Sequence, residues 1–189
     1  AMIVFILPLL VGLVSGGGNH ADTPVVYKGA NYSDLMQFLG TSNQIWLVKT
    51  QSGFQNKDCL YWEQYNSNAT DYFFKEWYRQ GALRRSFEKR AKLDPRKGLP
   101  TMSIRYTNER EEKGILHTLE YWGPDEMCAI LTVDGGKCMK FVWKPQKEVQ
   151  ETPKCDKVYD SLCKARSWYV YKYSCIYPNT ICVGPKTNC

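Results

Sequence analysis

Apolar and polar residues alternate along most of this chain, in short stretches set apart by turn residues, and helical spacing shows in only two places. Tyr32 to Leu39 puts apolar side chains at 32, 35, 36 and 39, with Ser33 or Asp34 available as a cap and Gly40 as the stop, so a short helix is expected there. Strands follow over Ile45–Thr50, Cys59–Tyr65 and Asp71–Arg79, with a weaker one over Leu83–Leu93. The prolines and glycine between Leu93 and Pro100 make a loop. Met102–Thr107, Ile115–Trp122, Cys128–Val133 and Cys138–Trp143 complete a set of eight strands. Asp134-Gly135 between the last two predicts a two-residue hairpin turn, because Gly supplies the positive φ such a turn needs. Pro153 to Cys163 reads as a second helix, with Cys155, Tyr159 and Cys163 on one face, and Trp168 to Ser174 as a last short strand. Many short antiparallel strands at regular spacing predict an all-β domain, either a sandwich or a closed barrel.

Alternation also assigns faces. Glu120 belongs in water, which sends Ile115, His117, Leu119 and Tyr121 inward. On the hairpin, placing Ala129, Leu131 and Val133 inside with Met139, Phe141 and Trp143 leaves Lys140 outside, the cheaper place for an ammonium group. An interior of this kind fits a barrel filled by its own side chains and a barrel holding one small ligand equally well.

Composition changes the picture chiefly through cysteine. The 189 residues contain eight, an even number, all downstream of an apolar run from Met2 to Val14 that ends in Ser15 and three glycines. That run is expected to be a secretory signal covering residues 1–17, too short to span a bilayer, with one domain over 18–189. Disulfides are the expected use of the cysteines: none lie in a Cys-x2-Cys pair, and His20 and His117 are the only histidines, so no metal or cofactor is expected. Asn31 and Asn68 head glycosylation sequons and should both lie on the surface. The net charge of +6 is modest, and the basic run from Arg84 to Lys97 is interrupted by Phe87, Glu88 and Asp94, as on the solvated face of a strand. No nucleic-acid partner is expected. No Gly-rich phosphate loop or nucleophile motif is present, so an enzyme is not expected either.

The residues Glu126-Met-Cys128-Ala-Ile-Leu-Thr-Val133, Gly-Gly-Lys-Cys138, Pro153-Lys-Cys155 through Tyr159 to Cys163, and Tyr169-Val-Tyr171-Lys-Tyr-Ser-Cys175, with Lys57-Asp-Cys59-Leu upstream, resemble tick salivary lipocalins of the histamine-binding type. That resemblance implies an eight-stranded antiparallel lipocalin β-barrel with a short N-terminal helix and a C-terminal helix packed outside it. It implies bridges Cys59–Cys175, Cys128–Cys155 and Cys138–Cys163. Cys182 and Cys189, on a tail (176–189) beyond where the family ends, are left to pair with each other.

Amine-binding members of that family carry acids directly after the first and second of the central cysteines, positions that hold Ala129 and Met139 here, and a third inward acid that falls on Leu119. Glu88 matches a fourth, and Ile104 and Tyr106 match the aromatic lining strand. A protonated amine in a low-dielectric cavity needs carboxylates around it, so losing most of them turns the expectation from histamine toward an amphiphilic lipid, such as a fatty acid or leukotriene. Its carboxylate would meet Arg84, Arg90 or Arg105, with His117 and Phe141 completing the lining. The implied role is a secreted, monomeric salivary trap for a host amine or lipid mediator that blunts inflammation. The competing one is a binder of a host protein that uses the barrel as a scaffold.

Overall fold

A computed structural model describes residues 26–54, 56–95, 100–109, 113–133, 135–144 and 151–176. The signal segment, Cys182 and Cys189 lie outside the described residues. The elements in order are α1 (Tyr32–Leu39), β1 (Ile45–Thr50), β2 (Lys57–Ser67), β3 (Asp71–Gln80), β4 (Leu83–Asp94), β5 (Thr101–Tyr106), β6 (Ile115–Gly123), β7 (Cys128–Val133), β8 (Lys137–Trp143), α2 (Pro153–Leu162) and a two-residue β9 (Trp168–Tyr169). Each of β2 to β7 pairs antiparallel with the next, β8 pairs with β1, and β1 returns to β2 through Ile45–Trp62 and Trp46–Tyr61. The result is an eight-stranded antiparallel barrel, closed so that no sheet edge is left among these strands. β9 adds to β1 outside the ring.

The last strand is shorter than the sequence predicts. Only Trp168 and Tyr169 pair, and Tyr173–Cys175 form a single 3-10 turn because Cys175 is held against β2 by its bridge to Cys59. The β7–β8 loop is also one residue longer than a two-residue turn. Val133 pairs with Lys137, and both Gly135 and Gly136 take positive φ, 82° and 73°.

Two apolar layers follow from the alternation. Inside the ring lie Leu47, Trp62, Phe74, Leu119, Leu131, Phe141 and their neighbours; outside, α2 and the segment after it cover Trp46, Tyr61, Ile130 and Val142. Ala129, Leu131, Met139 and Phe141 are in the inner layer. Lys140 faces outward yet is only 4% exposed, since α2 lies over it and Asp156 accepts from its ammonium at 2.5 Å. Tyr121 is a correction. A bulge between Leu119 and Tyr121 shifts the strand by one residue, sending Tyr121 out against Tyr27 and Trp122 in against Phe38.

One end of the barrel is plugged by α1. Its cap is Asn31, not Ser33 or Asp34: the Asn31 side chain accepts from the Asp34 amide and the Asp34 carboxylate accepts from the Asn31 amide. Phe38 then enters the barrel between Trp122 and Phe141, and Trp143 Nε1 donates to the Phe38 carbonyl at 3.0 Å. Asn68 sits in the β2–β3 turn at this same end, where Tyr32 Oη donates to the Ala69 carbonyl, and both asparagines are exposed.

Helix α2 is fixed by three devices. Bridges Cys128–Cys155 and Cys138–Cys163 tie its two ends to β7 and β8. The buried Glu126 carboxylate accepts from the backbone amides of Lys154 and Cys155, at 3.0 and 2.9 Å, and so caps a helix whose own Thr152 makes no side-chain cap.

Ion pairs on the outer wall make stability depend on pH. The Arg90 guanidinium, 2.7 Å from Asp71, holds that carboxyl below its usual range. Burial pushes the Asp58 carboxyl up, but its bonds from Arg79 and Lys172 outweigh burial and hold it low as well. A carboxyl whose folded pKa is depressed stabilises fully above its unfolded value and loses that contribution as pH falls through the folded one. Urea unfolding between pH 5 and pH 2 is therefore expected to show falling stability with acid, and the Asp58→Asn, Asp71→Asn double variant to show a flatter slope from a lower start. An unchanged slope would mean that other groups carry the acid sensitivity.

Candidate functional site

Among the described residues the end of the barrel opposite α1 is open. A cavity of about 390 Å³ lies there, lined by residues from β2 to β8 and from the loop after β1. Its floor is Trp62, 2% exposed, which packs on Phe74 at 4.9 Å and Phe141 at 4.4 Å; below it the barrel is filled by side chains. Its walls include Ile104, Tyr106, Ile115, His117, Val133 and Met139, with Phe54 and Lys57 at the rim.

Charge is concentrated in the mouth. Among the described residues, Lys57, Lys89 and Lys113 line it with the carboxylates Glu76 and Glu109, and Arg105 touches its edge from the face that β5 shares with Arg90. Glu76 and Lys89 form an ion pair of 2.8 Å, with side chains only 15% and 16% exposed. Trp62 Nε1 donates to the other Glu76 oxygen at 3.3 Å, and the Lys89 ammonium lies 4.9 Å from the centre of the Tyr106 ring. Tyr106 is packed edge-on by Phe87, which stacks on Tyr78. His117 is 7% exposed, its Nδ1 2.9 Å from the Ile115 carbonyl. Lys57 lies over the Tyr78 ring at 4.5 Å, and Glu109 accepts from the Tyr106 amide while its carbonyl accepts from Arg105.

Of the residues singled out from the sequence, Ile104, Tyr106, His117, Met139 and Arg105 line this cavity. Leu119, Ala129 and Phe141 are fully buried below it, in the filled part of the barrel. Glu88 is corrected. The β4–β5 register pairs Lys89 with Tyr106 and Ala91 with Ile104, so odd-numbered residues of β4 face inward, and Glu88 is exposed on the outer wall. Arg84 and Arg90 share that outer face: Arg84 lies over Trp77 and reaches the Tyr61 hydroxyl, and Arg90 pairs with Asp71. The inward carboxylate is Glu76, which sequence reasoning missed. Both faces of β3 mix aromatic and charged residues, so alternation has no tie to break; the signal was the register with β4, which sets Glu76 diagonal to Lys89.

Among the described residues no group of three or more His, Cys, Asp or Glu side chains is placed to hold a metal ion, and no helix is long and apolar enough to cross a membrane.

Solved structures share this architecture. AM182, crystallised as a serotonin complex, superposes with a TM-score of 0.61 over 80% of this chain and 97% of its own, at 12% identity. The fold is a lipocalin fold. Japanin from Rhipicephalus appendiculatus, crystallised with cholesterol, matches this lipocalin barrel with a TM-score of 0.52 over 69% of this chain and 92% of its own, at 11% identity. Lobster apocrustacyanin A1 gives 0.49 at 13% identity, over 76% of this chain and 87% of its own. No family model and no curated protein matches the sequence.

Proposed function

We propose that this lipocalin is an extracellular carrier that takes up a small amphiphile with an acidic headgroup at the open mouth. The observation that carries the reading is the mouth itself. Its volume lies in the range of drug-sized ligand pockets, its floor is aromatic, and among the described residues three lysines stand against two carboxylates. Because Glu76 already pairs with Lys89, the cationic groups offered to a ligand are Lys57 and Lys113, while Trp62, Ile104 and Met139 meet the apolar part. An acidic headgroup gains charge-assisted contacts there, whereas an added ammonium meets the like charges of Lys57 and Lys113. The disulfides support a secreted protein. Sequestration of a host lipid mediator from saliva is the role we favour. The serotonin and cholesterol of the two structural neighbours show only that barrels of this shape accept ligands of both classes.

The test is calorimetry on the secreted, disulfide-bonded protein with oleate, histamine and serotonin. Oleate is expected to bind in the micromolar range or tighter. Reversing two rim charges, Lys57→Glu with Lys113→Glu, should weaken oleate at least about tenfold, the size of one or two lost charge-assisted contacts. Submicromolar amine binding without lipid binding would overturn the reading.

A second reading rests on a different surface. Trp168, Tyr169 and Tyr173 are 46%, 63% and 38% exposed along β9 and the turn after it, as on a scaffold that docks a host protein. Because the barrel is filled below Trp62, that reading keeps its place beside the first.

A further inference from the structure

The geometry points to Lys89 as a tethered stand-in for an amine ligand: its ammonium occupies a ready-made amine subsite, and this one side chain sets the lipocalin against biogenic amines. The inference rests on the mouth being the ligand site.

The surroundings of Lys89 Nζ are those a bound primary amine requires. A carboxylate at 2.8 Å supplies the charge, and both partners are largely withdrawn from water. The carboxylate is itself oriented, because Trp62 Nε1 donates to its second oxygen. An aromatic face, Tyr106, lies 4.9 Å from the ammonium, within cation–π range, and Phe87 packs edge-on against that ring. His117 and Met139 line the same cavity. Carboxylate, oriented donor and aromatic face together form an amine subsite in which the cation arrives on a side chain.

The consequence for specificity follows from charge. An incoming ammonium has to displace Lys89 from Glu76, which leaves a lysine charge in a confined mouth that already holds Lys57 and Lys113. Tethering also gives Lys89 an effective concentration that a dilute amine does not match. Removing the lysine reverses both terms, because Glu76 is then a largely buried carboxylate in need of a cation.

The test uses the full disulfide-bonded chain and two simple probes: n-butylamine, which reproduces the lysine side chain, and 2-phenylethylamine, which adds a ring. Lys89→Ala removes the ammonium and leaves its space; Lys89→Met removes the charge and keeps most of the volume. Wild type and Lys89→Met are expected to bind both probes only in the millimolar range. Lys89→Ala is expected to bind 2-phenylethylamine about tenfold to a hundredfold more tightly than wild type, the size of a charge-assisted contact, and Glu76→Gln in that background should abolish the gain. Folded Lys89→Ala with no gain, or an equal gain in the Glu76→Gln, Lys89→Ala double variant, overturns the assignment. If Lys89→Ala is too unstable to titrate, its thermal midpoint is the readout: n-butylamine must raise it and n-butanol must not, and equal effects overturn the idea. Oleate binding by wild type is measured on the same preparation, so failure of the lipid reading and failure of the lysine reading are seen separately.

Discussion

Trp62→Ala is expected to cost about 3–5 kcal/mol of stability, as for other buried tryptophans cut back to alanine, and to lower the thermal midpoint by on the order of 10 °C. The reason lies in its position. Trp62 is the layer at which the filled part of the barrel ends and the cavity begins: it is 2% exposed and touches Phe74 and Phe141 from above, with His117 at 6.5 Å across the ring. Removing it strips those rings of a partner and lets the mouth deepen toward Leu119 and Leu131. The variant also takes away the donor that orients Glu76. Trp62→Phe separates the two effects, since it keeps a ring on Phe74 and Phe141 and loses only the donor and part of the volume. It should cost distinctly less than alanine, of the order of a single lost hydrogen bond plus a small cavity. Chemical denaturation of both variants checks the order. A loss under about 1 kcal/mol for Trp62→Ala would mean that the core does not close at this residue.

How far the chain announced this arrangement differs between strands, and for physical reasons. On β7 and β8 one face carries Ala129, Leu131, Met139 and Phe141 while Lys140 marks the other, so simple alternation finds the interior. On β6 the same rule works up to Leu119 and then fails, because the bulge at Glu120 adds a residue that no hydrophobic pattern shows. The bulge has a use: the Glu120 carbonyl within it accepts the Ala30 amide, fixing the segment that leads into α1. On β4 the parity was visible in Ala91 and Leu93, which are apolar and buried; extending it upward would have placed Lys89 inside and Glu88 outside. Taking Glu88 as the lining acid is off by one residue, and in a strand one residue is the whole difference between lumen and solvent. The cap on α2 was beyond reach in another way. Glu126 lies 28 residues before Lys154, and nothing local to either announces that the β6–β7 turn will point a carboxylate at a helix end. The ion pair that defines the mouth is of the same kind, legible only once β3 and β4 are set in register.

Replacing both Cys59 and Cys175 by serine is expected to cost about 4–5 kcal/mol, more than the roughly 3.5 kcal/mol expected from either of the other bridges. The comparison rests on loop length in the unfolded chain. Cys59–Cys175 spans 116 residues, against 27 for Cys128–Cys155 and 25 for Cys138–Cys163. The shorter bridges do not make the long one redundant: with Cys138–Cys163 closed, the path from Cys59 to Cys175 still runs over about 90 residues, and closure entropy changes little over that range. In the folded state Cys59 sits in a left-handed backbone conformation, φ 55°, within the β2 bulge, its amide donating to the Val170 carbonyl. Arg79 ties Asp58 to Ser174 beside it, so the C-terminal segment keeps native contacts when the bridge is gone. The loss should therefore appear largely as a more expanded unfolded state. That makes a second observable available: the denaturant m value of the double-serine variant should rise above wild type, whereas a variant that merely frays the segment around β9 in the native state would lower it.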